Sequence, residues 1–216
     1  MGLTVKICGL KTADAVEAAV AGGADMLGFV FFEPSPRNIG LEQAADLMRR
    51  VPQNLTKVAL VVDPDDALLD GIVRQARPDL IQFHGKEGPE RLALAKARYR
   101  IPVMKALPVA GPGDIAKHEA YLGTADRLLF DAKAPKDADR PGGNALAFDW
   151  QLLKGRPVGL PWILAGGLNE ANLARAVAIS GATAVDISSG VETEPGVKDP
   201  NLIRTFLETA KGLKAA

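Results

Sequence analysis

The chain has 216 residues, 47% hydrophobic and 24% charged, with 26 basic and 26 acidic side chains in balance. That length and apolar content can bury a core without disulfide or metal staples, and they exclude an intrinsically disordered chain. Zero net charge excludes the broad basic footprint of a nucleic-acid or anionic-membrane binder, and the single cysteine, Cys8, excludes an internal disulfide.

The opening MGLTVKICGL lacks the apolar core of a signal peptide, and the longest apolar run, Met26 to Phe32, is far short of the ~20 residues that span a bilayer. With the lone cysteine, this predicts a soluble protein of a reducing, cytoplasmic compartment. Along the chain, short β-rich runs bounded by Gly, Pro, Asp or Asn predict strands at Leu3–Ile7, Met26–Phe31, Lys57–Val62, Leu80–Phe83, Val103–Ala106, Arg127–Phe130, Trp162–Leu164 and Ala184–Ile187. Between them, helices are predicted at Ala13–Ala21, Leu41–Arg50, Ala67–Gln75, Pro89–Ala97, Gly113–Tyr121, a short stretch from Asp149, Glu170–Ile179 and Asn201–Lys211. Thr12 and Asp199-Pro200 mark helix starts, and Gly22-Gly23 and Gly181 mark stops.

A doubly wound sheet would use the same alternation of strand and helix. Eight complete units, with glycine-bearing turns after the last two strands, favour a single (β/α)8 TIM barrel filling residues 1–216, with no second domain. One wide gap, about residues 132–147, is rich in Lys, Asp, Pro and Gly (KAPKDADRPGGN). Because it follows strand six, it is expected to be a mobile loop on the face where barrels carry their chemistry. The strand ends on that face offer Cys8, Pro34 to Arg37, Asp63, His84, Lys105, Asp131, Gly166-Gly167 and Ser188-Ser189-Gly190.

Those segments resemble phosphoribosylanthranilate isomerase of tryptophan biosynthesis. The likeness is carried by KICGL (6–10), FFEPSPRNI (31–39), QFHG (82–85), FDAK (130–133), FDW (148–150), LAGGLNEANL (164–173) and DISSGVETEPGVKD (186–199), in order from residue 5 to about residue 205. Ala145 stands where the family usually carries a glycine, which bears on the shape of the insertion. The resemblance implies an aldose–ketose isomerase that converts N-(5-phosphoribosyl)anthranilate to 1-(2-carboxyphenylamino)-1-deoxyribulose 5-phosphate by an Amadori rearrangement.

By the same resemblance, Cys8 is the general base and Asp131 the general acid. A free thiol is only a few per cent thiolate at neutral pH, so a basic Cys8 calls for a source of stabilisation. Strand parity supplies a candidate: if Cys8 points into the barrel mouth, Lys6 points inward one layer below, where Asp186 on the neighbouring strand is its expected partner. A lone cysteine is otherwise a small buried hydrophobe, and an aspartate at a strand end can simply bond the loop that follows. As an acid, Asp131 must hold a proton at neutral pH, which burial beneath a closed insertion loop would favour.

Arg37 is the expected clamp for the anthranilate carboxylate, because a guanidinium fork pairs with a carboxylate bidentately. Gly166, Gly167, Ser188, Ser189 and Gly190 occupy the usual barrel phosphate site, where small residues let backbone N–H groups converge on a dianion. His84 reads more as a hydrogen-bonded structural residue than as a catalyst, His118 as part of a solvated face, and Lys105 as undetermined. Arg37, Lys6 and Lys105 together are expected to give the mouth a local positive potential.

No metal or dinucleotide motif is present, so no cofactor is implied. The expected partner is a small phosphorylated substrate, with no nucleic acid and no membrane, and the chain is a monomer or homodimer. Two other readings are weaker. A histidine-pathway aminoaldose isomerase would resemble an aspartate at the first strand end, where this chain has Cys8. A non-catalytic barrel binding a phosphorylated ligand would need neither Cys8 nor Asp131.

Overall fold

A computed structural model describes residues 2–134, 141–143 and 145–213. Eight parallel strands close into a ring in chain order: β1 (Thr4–Cys8), β2 (Met26–Phe31), β3 (Thr56–Val61), β4 (Leu80–Phe83), β5 (Val103–Val109), β6 (Arg127–Ala132), β7 (Trp162–Leu164) and β8 (Ala184–Ile187). The ring is sealed where β8 pairs with β1, from Thr4 opposite Ala184 to Ile7 opposite Ile187. This closure decides for the barrel over the doubly wound sheet.

The connecting helices are α1 (Ala13–Gly22), α2 (Leu41–Arg49), α3 (Asp66–Ala76), α4 (Pro89–Tyr99), α5 (Pro112–Ala116), α6 (Glu170–Ser180) and α7 (Pro200–Gly212). Their ends follow from local chemistry. Thr12 caps α1 by accepting from the Ala15 amide, and Gly23 ends it in the left-handed region at φ 80°. Asp199 caps α7 ahead of Pro200. The helix expected at Gly113–Tyr121 breaks instead into α5 and a 3-10 helix, Lys117–Tyr121, and the stretch after Asp149 is likewise a 3-10 helix, Trp150–Leu153. His118 corrects the solvated-face reading: it is buried, and its Nδ1 lies 2.8 Å from the Ile115 carbonyl. A 3-10 turn has three residues per turn rather than 3.6, which rotates this side chain off the face an α-helix would give it.

Side chains alternate across each strand, and this parity sorts the core. One set, including Val5, Ile7, Leu27, Phe29, Leu128, Phe130, Val185 and Ile187, packs outward against the helices. The other fills the barrel with Met26, Val58, Leu80, Met104, Leu129, Ile163 and Ala184, capped towards the carboxyl ends by Cys8, Val30 and Leu60. Lys6, Cys8, Asp131 and Asp186 share the inward parity, which lifts them towards the mouth. Beyond β8, a 3-10 helix (Ser189–Val191) leads into a hairpin of β9 (Glu192–Glu194) and β10 (Val197–Lys198), where the sequence reading assigned no strand. Of the loop expected at 132–147, residues 135–140 and 144 lie outside the described residues.

Candidate active site

A cleft of about 740 Å³, open to solvent, occupies the carboxyl-terminal mouth of the barrel. Cys8, Asp131, Arg37, Gly166, Gly167, Ser188 and Ser189 all line it, drawn from the ends of β1, β2, β6, β7 and β8 or the loops behind them. Gly190 does not line the cleft. It packs so closely on the β7 turn that an added Cβ would fall 2.1 Å from the Leu168 carbonyl oxygen.

Below Cys8, the Lys6 ammonium is fully buried and bonds Asp186 at 2.9 Å, the partner strand parity predicts. Gly28 on β2 makes room for this group: a Cβ there would sit 3.0 Å from Lys6 Nζ and 3.1 Å from Cys8 Sγ. Burial works against the Lys6 charge, but Asp186 and Cys8 beside it raise its affinity for a proton overall. Burial also pushes the Asp186 carboxyl up, with Lys6 opposing. The Cys8 thiol corrects the expected direction. Burial pushes it above the ordinary thiol range, and the Lys6 ammonium offsets only part of that rise. The thiol is therefore the resting form at neutral pH.

Asp131 accepts from the Ala132 amide at 2.9 Å, and its second oxygen lies 3.3 Å from His84 Nε2. Gln82 Nε2 stands 3.4 Å from His84 Nδ1, so with the amide donating, the imidazole carries its hydrogen on Nε2 and offers it to Asp131. His84 is thus hydrogen-bonded, as read, but it also lines the cleft beside the carboxyl. The described part of the loop after β6 lies over the same residues. A Cβ on Gly142 would meet Asp131 Oδ2 at 2.6 Å, and Gly143 accepts from Arg37 Nη2 at 3.3 Å. Ala145, where a glycine was expected, adopts φ 56°, a left-handed value glycine reaches more cheaply.

Arg37 is buried, and one edge of its guanidinium forks onto Glu192, Nε to Oε1 and Nη2 to Oε2, each at 2.7 Å. Sequence reasoning missed Glu192 and Lys198, although both stand in the VETEPGVKD segment; no periodicity places a hairpin residue beneath a loop 155 positions earlier. Burial lowers the Lys198 ammonium to about 8, with Glu192 opposing. Burial also acts against the Glu192 charge, yet the hydrogen bond from Arg37 and the Lys198 ammonium hold its carboxyl below the usual range.

Asp63 and Lys105 stay out of the cleft. Asp63 Oδ1 accepts from the Lys86 amide at 2.6 Å, and Lys105 donates to Gly85 O and Glu87 Oε2, both at 2.7 Å. The expected concentration of positive charge is corrected accordingly. Lys6, Lys105 and Arg37 each carry a carboxylate partner, and Arg37 is the one Lys or Arg among the described lining residues.

A closed eight-stranded barrel with a thiol, a carboxyl and glycine-bearing turns around one mouth defines a (β/α)8-barrel enzyme. The family model described as N-(5'phosphoribosyl)anthranilate (PRA) isomerase matches residues 5–209. The chain belongs to that family, and it is an isomerase of tryptophan biosynthesis. It is 55% identical to N-(5'-phosphoribosyl)anthranilate isomerase of Paramagnetospirillum magneticum, over 98% of this chain and 99% of that protein. The corresponding protein of Rhodospirillum centenum is also 55% identical, over 99% of this chain and all of that one. Among solved structures, phosphoribosyl anthranilate isomerase from Thermotoga maritima superposes with a TM-score of 0.86 at 32% identity, covering 98% of this chain and 100% of that one. A family structure solved in complex with reduced 1-(o-carboxyphenylamino)-1-deoxyribulose 5-phosphate has a TM-score of 0.83 at 31% identity, with the same coverage.

Proposed function

We propose that the whole chain, as one domain, converts N-(5-phosphoribosyl)anthranilate to 1-(2-carboxyphenylamino)-1-deoxyribulose 5-phosphate by an Amadori rearrangement, with Asp131 as general acid and Cys8 as general base. The observation that carries this reading is the convergence of Cys8 and Asp131 on one cleft, from the ends of β1 and β6. The ligand of the 31%-identical relative, a reduced form of that product, supports the substrate class.

Asp131 gives its proton to the furanose ring oxygen as the bond from that oxygen to C1 breaks, leaving an iminium between C1 and the anthranilate nitrogen. Cys8, as thiolate, takes the proton from C2, and the electron pair of that bond neutralises the iminium to give an enol-amine. Tautomerisation moves the C2 hydroxyl proton to C1, so C1 is reduced as C2 becomes the ketone and no external oxidant is needed. His84 orients the Asp131 carboxyl.

Arg37 holds the anthranilate carboxylate through Nη1, which makes no hydrogen bond to any described residue, while Nη2 donates to Glu192 and to the Gly143 carbonyl. Gly166, Gly167, Ser188 and Ser189 hold the phosphate through backbone N–H groups, and Gly190 lets the β8 turn pack on the β7 turn beside them. The described residues 141–143 cover the site, since Gly142 and Gly143 lie over Asp131 and Arg37. We further infer that the enzyme works in the cytoplasm without a cofactor, as a monomer or homodimer. A Thermotoga maritima relative is described as dimeric, and no described helix is long and apolar enough to cross a membrane.

The test follows the loss of substrate fluorescence with wild type, Cys8→Ala and Asp131→Asn. Wild type should turn over, and each variant should lose ~100-fold or more in kcat, the usual range for a general acid or base. Undiminished turnover by Cys8→Ala would remove the base assignment, and an inactive wild type would remove the reaction.

A further inference from the structure

Glu192 sits beneath the site and not in its reacting shell, yet it joins two of its parts. Its carboxylate takes the inner edge of Arg37 through two 2.7 Å bonds and a third bond, at 2.5 Å, from Lys198 Nζ. All three side chains are buried, at 5% exposure or less. Lys198 then donates to the Ser188 carbonyl at 3.0 Å and to its hydroxyl at 3.2 Å, and that hydroxyl donates to the Cys8 carbonyl at 3.2 Å. The hairpin carrying both residues docks on the Arg37 loop, so tightly that a Cβ on Gly196 would fall 2.4 Å from the Pro36 carbonyl oxygen. A buried, bidentate ion network of this kind fixes direction, because breaking any one bond strands a charge.

We infer that Glu192 and Lys198 are positioning residues that lock the Arg37 carboxylate clamp to the turn after β8, so that the enzyme selects ligands by the separation between an aryl carboxylate and a phosphate. This rests on the assignment of Arg37 and Ser188 to those two groups of the substrate. Arg37 alone would be a long, flexible side chain able to follow a carboxylate over several positions. Clamped along its Nε–Nη2 edge, with the second Nη2 hydrogen on the Gly143 carbonyl, it presents Nη1 at one place relative to Ser188. The network also reaches the backbone of Cys8, so the base, the clamp and the phosphate turn share one support.

The test compares binding of two ligands by calorimetry: reduced 1-(2-carboxyphenylamino)-1-deoxyribulose 5-phosphate and the same molecule without its carboxylate. Wild type should prefer the carboxylated ligand, and Arg37→Ala should abolish the preference. Glu192→Gln, which keeps the side-chain shape, should cut the preference about tenfold or more while leaving the decarboxylated ligand's affinity unchanged. Its KM should rise by a similar factor, with kcat within about threefold of wild type. Lys198→Met, which also releases the Ser188 turn, should weaken both ligands but the carboxylated one more, and in the Arg37→Ala background Glu192→Gln should add nothing. Equal loss for both ligands, or no loss for either, overturns the positioning role. A wild type with no preference would instead remove the assignment of Arg37 beneath it. Should Glu192→Gln fail to fold, Glu192→Asp, which keeps the charge but withdraws it by one methylene, makes the same comparison.

Discussion

Cys8 owes its direction to strand parity, and Lys6 lies directly beneath it. Two opposing effects act on the thiol, and burial exceeds the attraction of the ammonium. A base that must first lose this proton makes kcat/KM climb with pH through neutrality, by up to about tenfold per unit below the thiol's own midpoint. Replacing the pair together, Lys6→Met with Asp186→Asn, avoids stranding either charge in the barrel. It should move the ascending limb to higher pH, because the ammonium lowers the Cys8 midpoint more than the Asp186 carboxylate raises it. A pH profile of kcat/KM between about 6 and 9 reads this directly, and an unmoved limb would mean that Lys6 serves the fold alone. The Lys6–Asp186 pair was legible in the sequence, because two-residue parity and neighbouring strands suffice to place it. The rise of the thiol was not, since it depends on how completely Val30, Leu60 and the loop residues exclude water.

Among the elements, α6 shows local chemistry serving the site. Asn169 and Asn172 form a reciprocal capping box, at 2.9 and 3.0 Å, and Asn172 Nδ2 also donates to the Gly167 carbonyl at 2.8 Å. One side chain thus closes the first turn of the helix and pins the glycine turn proposed to bind phosphate. Asn172→Ala should destabilise the protein by about 0.5–2 kcal/mol in urea unfolding. It should also raise KM more than it lowers kcat, because the carbonyl it holds belongs to the binding turn. The helix was legible in the sequence as Glu170–Ile179, while its capping box and the bond to Gly167 were not. The β9–β10 hairpin was not, as its few residues carry no period, and what specifies it is the burial of Glu192 and Lys198 against a loop from the other end of the chain.

The molecule as a whole is held by its closure. Besides β1 pairing with β8, α7 packs on α1, with Phe206 and Leu207 buried and Leu207 lying against Gly22. Phe206→Ala should cost about 3–5 kcal/mol, a large part of the ~5–15 kcal/mol that holds a typical domain, seen as a lower denaturation midpoint with an unchanged slope. Activity of the folded fraction should persist, since Phe206 does not line the cleft. The balance of 26 acids and 26 bases also holds at the mouth, where each buried cation meets a carboxylate in place of the expected excess of positive charge.

The sequence by itself determined the eight strands and most of the helices between them, the inward parity of Lys6 and Cys8 with Asp186 as partner, and the strand ends offered as candidate site positions, because these follow from periods of two and 3.6 residues and from local turn residues. Only the tertiary structure decided that the ring closes, that the Cys8 thiol is held in its protonated form, and that Arg37 rests on Glu192 and Lys198. Those outcomes depend on desolvation and on contacts between residues far apart in the chain, which no local pattern encodes.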